Sequence, residues 1–126
     1  MLEYMQYLFA AFVFWFVVSK LLPVRGLTAL TPQDVQDRLN QKNQHIFVDV
    51  REVHEYKQGH IKGFQNIPLS QLKARLDELP KDKSIVLTCQ SGMRSRQAAK
   101  LLKKQGCSQL AHLKTGVIGW SGPLSK

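Results

Sequence analysis

The segment Ile85-Val86-Leu87-Thr88-Cys89-Gln90-Ser91-Gly92-Met93-Arg94-Ser95 joins a short apolar run to a glycine-bearing loop and the start of a helix. Ser84 to Thr88 is brief, β-branched and apolar, the pattern of a strand buried on both faces. Beyond the loop, Ala98, Ala99, Leu101 and Leu102 mark a helix that Gly106 ends. A strand passing through a tight loop into a helix belongs to an α/β architecture, and ligand sites in such sheets form at the carboxyl ends of the strands. Cys89 stands at that end. Consecutive amide N–H groups of the loop and the helix N-terminus make a cradle for an anion, and Arg94 and Arg96 add positive potential. Such surroundings favour the thiolate, the nucleophilic form of cysteine. The competing view, a cysteine that merely ends a buried strand, does not account for Gly92, Arg94 and Arg96 following it.

Working outward, Thr31-Pro32-Gln33-Asp34 offers a capping hydroxyl, a proline at the first helical position and an acid in the first turn. It predicts a helix reaching about Gln41. Ile46 to Val50 reads as a second buried strand, with one helical turn near Glu55 after it. Leu69, Leu72, Leu76 and Leu79 recur at helical spacing, and Pro80 closes that helix. Leu110 to Leu113 reads as a third strand, followed by a short helix carrying Trp120. Strands alternating with helices predict an α/β fold with a mainly parallel sheet flanked by helices.

The 126 residues suffice for one domain of ordinary size, and the 44% hydrophobic content suffices for its core. Charge is unevenly spread. The net charge is +9, and no acidic side chain follows Asp82. Such a field suits small anions or acidic partners. Nucleic acid is disfavoured, because no aromatic residues are interleaved with the basic ones as stacking platforms. Two cysteines make no disulfide framework. His45, His54, His60 and His112 have no metal-ligand spacing, so neither metal nor cofactor is expected. His60 reads as a satisfied loop histidine. Cys107, after a helix-ending glycine, reads as a small buried hydrophobe, with a resolving thiol as the alternative.

The amino-terminal part differs from the rest. Seven of the 11 aromatic residues lie between Tyr4 and Phe16, and residues 8–18 are apolar on every side. Residues 4–22 would extend about 28 Å as a helix, against a hydrocarbon core of roughly 30 Å. The expectation is a transmembrane anchor over 1–22, a linker over 23–27, and a soluble domain over 28–126. Lys20 would reach the interface and Pro23 would end the helix. A cleaved signal peptide is the rival, though the basic amino-terminal region of such peptides is missing. Lys20 and Arg25 on the carboxyl flank orient the domain toward the cytoplasmic side of the plasma membrane.

The loop Cys89-Gln90-Ser91-Gly92-Met93-Arg94-Ser95 resembles the active-site loop of single-domain rhodaneses, sulfurtransferases that carry sulfur as a cysteine persulfide. Asp49-Val50-Arg51-Glu52 with Glu55-Tyr56, Gly59-His60-Ile61-Lys62-Gly63 and Asn66-Ile67-Pro68-Leu69 add to the resemblance, which covers roughly residues 28 to 122. It implies a rhodanese-like α/β domain in which Cys89 accepts sulfur from a small anionic donor such as thiosulfate. Cyanide, a thiol or a protein would be the acceptor. It further implies that the amides of Gln90, Ser91, Gly92, Met93, Arg94 and Ser95 hold the terminal sulfur and that Arg94 binds the donor. Asp49, Arg51 and Glu55 would shape the pocket edge. Cys-x4-Arg is one residue shorter than the Cys-x5-Arg loop of related phosphatases, and the tighter loop suits a single sulfur atom better than a phosphate. The pair of glycines usual after the last strand appears as Thr115-Gly116, and an alanine common before Asn-Ile-Pro is replaced in Phe64-Gln65. The alternative function is a membrane-tethered binding or persulfide-relay module with little activity on small molecules.

Overall fold

The computed structural model describes residues 2–21 and 24–126; side chains are described for 3–19 and 24–126. In chain order the elements are α1 (Leu2–Leu21), β1 (Leu27–Leu30), α2 (Pro32–Leu39), β2 (His45–Asp49), α3 (Val53–Gln58) and β3 (Gln65–Asn66). They continue with α4 (Leu69–Leu72), a 3-10 helix (Lys73–Glu78), β4 (Ser84–Thr88), α5 (Met93–Lys104), β5 (Leu110–Leu113) and a last 3-10 helix (Val117–Gly119). The five strands form one sheet in the order β1-β5-β4-β2-β3. Every pairing is parallel. The α/β fold and its parallel sheet are as expected.

Alternation along β4 divides the core in two. Ile85 and Leu87 join Leu72, Leu79, Ala98, Ala99 and Leu102 on the face covered by α4 and α5. Val86 points the other way, to Val35 and Leu39 of α2. Each such aliphatic side chain contributes roughly 1.5–3 kcal/mol on burial. The helix boundaries have local causes. Thr31 Oγ1 accepts from the Asp34 N–H while the Asp34 carboxylate accepts from the Thr31 N–H, a reciprocal cap opening α2. At the end of α5, Gly106 at φ +98° allows the Cys107 N–H to bond the Leu102 carbonyl. That closure packs Cys107 against Leu102.

Several expectations need correction. The sheet has five strands, not three. Leu69 to Leu79 is not one α-helix: Arg75 leaves helical geometry at φ −119°, and the second half tightens to 3-10. Val24 is buried in the core and β1 begins at Leu27, so the expected linker 23–27 is partly domain. The expected transmembrane helix over 4–22 is corrected too: among the described residues no helix is long and apolar enough to cross a membrane. Glu3 and Gln6 interrupt the amino-terminal end of α1 and Ser19 the other, leaving Tyr7 to Val18 strictly apolar. The side chain of Lys20, and Leu22 and Pro23, lie outside the described residues.

Candidate active site

The site forms where the carboxyl ends of β4 and β2 lie side by side, Asp49 paired with Thr88. Cys89 follows β4 directly and is 1% exposed. The Gly92 N–H donates to Cys89 Sγ at 3.0 Å. Gly92 caps α5 at φ +97°, and a Cβ placed there would lie 2.4 Å from the Lys114 carbonyl oxygen. Only glycine meets both demands. The sulfur thus faces an inward amide at the positive end of a 12-residue helix.

The loop is fixed from behind. Val117 N–H donates to the Cys89 carbonyl at 2.8 Å, and Ile118 N–H to the Gln90 carbonyl at 3.1 Å. Gly116 makes this approach feasible, since a Cβ there would fall 2.3 Å from the Gln90 carbonyl oxygen. Of the two positions of Thr115-Gly116, the one in contact with the loop is therefore still glycine. Thr115 takes up space beside Gly119, where a Cβ would meet its Oγ1 at 2.3 Å.

Two ion pairs frame the cysteine. Asp49 and Arg51 are both buried and meet at 2.8 Å. Arg51 also donates to the Gly59 carbonyl at 2.8 Å and to Gln90 Oε1 at 3.3 Å, tying β2 to the cysteine loop. Arg94 makes a two-pronged bond to Glu55, at 2.6 and 2.9 Å. That hydrogen bond holds the Glu55 carboxyl down to about 2. The same bond raises Arg94, with the negative form of Cys89 adding a smaller share. Arg94 therefore spans from the loop to α3, engaged by Glu55 and within the electrostatic reach of the sulfur.

The structure brings together Cys89, Gln90, Gly92, Arg94, Ser95, Asp49, Arg51 and Glu55. Ser91 and Met93 are exposed, and among the loop amides it is that of Gly92 that bonds Sγ. A cavity of about 600 Å³ opens beside the loop, lined by Arg51, Glu55, Gln90, Ile118, Trp120 and Leu124 among others. His60 is satisfied as a loop residue: its ring stacks on Tyr56 and Nδ1 lies 3.0 Å from the Tyr56 carbonyl. Among the described residues no group of three or more His, Cys, Asp or Glu could hold a metal.

Sequence reasoning did not connect His112 with the site. Its Nδ1 lies 2.7 Å from Ser95 Oγ, beneath the loop. Burial, then Arg96 and Lys114, push its imidazolium form down to about 4. The available signal was strand register: a parallel partner for β4 carries every second residue to the same face as Cys89.

Comparison with known proteins agrees with this geometry. Residues 31–123 match the rhodanese family, described as a rhodanese-like domain. An uncharacterized protein of Bacillus subtilis, YqhL, is 38% identical over 93% of this chain and 90% of its own length. A sulfurtransferase of Allochromatium vinosum is 34% identical over 71% of this chain and 83% of its own. The crystal structure of a rhodanese-related protein from Thermoplasma volcanium is similar with a TM-score of 0.68 at 26% identity. That likeness covers 78% of this chain and 97% of the other. With a family match over most of its length and an intact cysteine loop at the end of β4, the chain belongs to the rhodanese-like domain family.

Proposed function

We propose that the chain is a sulfurtransferase that carries sulfane sulfur on Cys89. The Cys89 thiolate attacks the outer sulfur of thiosulfate; the S–S bond of the donor breaks, sulfite leaves, and Cys89 becomes a persulfide. Cyanide or a thiolate then takes the outer sulfur and returns the thiolate. The observation that carries this reading is the Gly92 N–H on Sγ at 3.0 Å, at the N-terminus of α5. Donors placed where negative charge gathers stabilise a thiolate nucleophile and the sulfur anion that follows it. The bonds from Val117 and Ile118 fix the backbone of the loop from behind, which keeps the Gly92 amide aimed at the sulfur.

The second reading, a persulfide relay between proteins, draws on the cavity rim, where Ile118 is 72% exposed beside Leu124. An apolar rim offers contact area to a protein carrying the thiol. The two readings share the persulfide and differ in donor and acceptor.

Intact-mass spectrometry after incubation with thiosulfate tests the carrier role. A gain of about 32 Da, one sulfur atom, that cyanide removes and Cys89→Ser abolishes is the expected result. No adduct with thiosulfate or any other sulfane donor would overturn it.

Location belongs to the same proposal. A persulfide is useful where acceptor thiols stay reduced, which favours the cytoplasmic side of the plasma membrane. The +9 net charge favours an anionic leaflet, and the exposed aromatic side chains of α1 favour an apolar neighbour. Fractionation together with a membrane-impermeant maleimide checks this: Cys89 labelled in intact cells would place the domain outside.

A further inference from the structure

Three buried polar side chains run inward from the loop: Cys89, Ser95 and His112, at 1%, 0% and 3% exposure. Ser95 sits in the first turn of α5, its Oγ 3.7 Å from Cys89 Sγ. The same oxygen lies 2.9 Å from the Gly92 carbonyl and 2.7 Å from His112 Nδ1. Sheet register delivers the histidine, because His112 pairs with Leu87, two residues before the cysteine.

The protons in this chain can be counted. Ser95 has one hydroxyl proton, and the Gly92 carbonyl can only accept, so that proton lies between them. With the proton so placed, His112 Nδ1 would be the donor in its own contact with Oγ. The ring is neutral near pH 7, its imidazolium form being held down to about 4, and in this arrangement its single N–H would sit on Nδ1. Such an imidazole is too weak a base to keep a proton taken from a thiol, for which a free value of about 8.5 is usual. Orientation, not proton abstraction, is what it can supply.

We propose that His112 is a positioning residue for Cys89: by donating Nδ1–H to Ser95 Oγ it pins that oxygen 3.7 Å from Cys89 Sγ, with its one proton directed away from the ring and able to turn from the Gly92 carbonyl to the sulfur whenever that sulfur is negative. The turn orphans nothing, because the Gly92 carbonyl keeps the Arg96 N–H at 3.4 Å. Sγ then has two donors, the Gly92 amide and the Ser95 hydroxyl. The opposite tautomer would draw the Ser95 proton onto Nδ1 and away from sulfur, so the sign of the effect of removing His112 separates the two. Arg94, electrostatically coupled to Cys89, and Arg96 and Lys114, which act on the imidazole, are the charged groups concerned and stay in place in every variant. The inference deepens the sulfur-transfer reading, but its test needs no sulfur donor.

The test is the pH profile of Cys89 alkylation by iodoacetamide in the full chain, followed by peptide mapping. His112→Leu is expected to slow the reaction about tenfold near pH 7, with the high-pH plateau unchanged. His112→Asn, whose amide N–H can stand where Nδ1–H stood, restores the wild-type profile. Ser95→Ala reproduces the loss, and adding His112→Leu to it brings no further loss. A wild-type or faster rate in a His112→Leu protein that melts normally overturns the proposal, as does a double variant whose losses multiply. If His112→Leu does not fold, Ser95→Ala is set against His112→Asn, and equal profiles overturn it. Persulfide failure with these alkylation profiles intact counts against the sulfur-transfer reading and leaves the role of His112 standing.

Discussion

Cys89 and Cys107 are hidden to nearly the same degree, 1% and 4% exposed, in surroundings that have little in common. Cys89 receives the Gly92 N–H, lies beside the Ser95 hydroxyl and is coupled electrostatically to Arg94. Cys107 closes the end of α5 against Leu102 and Leu110. Burial pushes its thiol up, with Lys81 offsetting part of the effect. Exposure alone would rank Cys107 as the more reactive of the two. The contrast teaches that equal burial can leave two sulfurs in different chemical settings, with donors facing the one and apolar side chains the other.

The harshest way to break this contrast is to dismantle the frame of Cys89. Arg51→Ala leaves the Asp49 carboxylate buried and uncompensated, which is expected to cost about 3–5 kcal/mol in denaturant unfolding. A loss below about 1 kcal/mol would show that the frame is not what holds the loop. Next in size is the contrast itself. In the native protein, iodoacetamide should modify Cys89 at least about 100-fold faster than Cys107, read by peptide mapping. Comparable rates would mean that access, and not the donor set, controls both sulfurs.

A smaller effect separates two roles for Arg94. If it binds the anionic donor, Arg94→Ala raises KM for thiosulfate roughly 10- to 100-fold, the size of one charge-assisted contact of about 1.5–3 kcal/mol. Glu55→Gln then lowers KM, because the guanidinium is released from its partner. If Arg94 instead clamps the loop to α3, both variants weaken turnover together. The smallest effect is in acid. Glu55 is held down to about 2, so its stabilising contribution is complete above its unfolded value of about 4.3 and is lost as pH falls toward about 2. Since the pair is part-exposed, screening leaves about 1 kcal/mol, which Glu55→Gln should remove from the acid limb of the stability curve. An unchanged acid limb would assign the pair no stabilising role.

The central strands were legible because each is a short run of apolar side chains buried on both faces: β2, β4 and β5. The edges were not. Leu27 to Leu30 reads Leu-Thr-Ala-Leu with two exposed positions in the middle, and β3 is only Gln65-Asn66. β3 carries no apolar pattern, and in β1 the two leucines are separated by exposed positions; both pair as edge strands because a neighbour offers them a hydrogen-bonding edge. Cys89 and its loop stood out through local chemistry, the order cysteine, glycine, arginine. The engagement of Arg94 by Glu55 spans 39 residues and appears only when α3 and α5 are placed together. His112 escaped notice for the same reason, since it adjoins Ser95 through strand pairing and not through any motif.

The all-parallel order β1-β5-β4-β2-β3 has a consequence for the life of the chain before it is complete. Parallel neighbours cannot be joined by tight hairpins, so long loops must close before the sheet can form. The setting of Cys89 draws on Arg51 from beyond β2, His112 in β5, and the turn at Val117 and Ile118. During synthesis the cysteine therefore emerges after Arg51 but before His112, Val117 and Ile118. The surroundings of Cys89 are therefore complete only when β5 and the turn after it have docked.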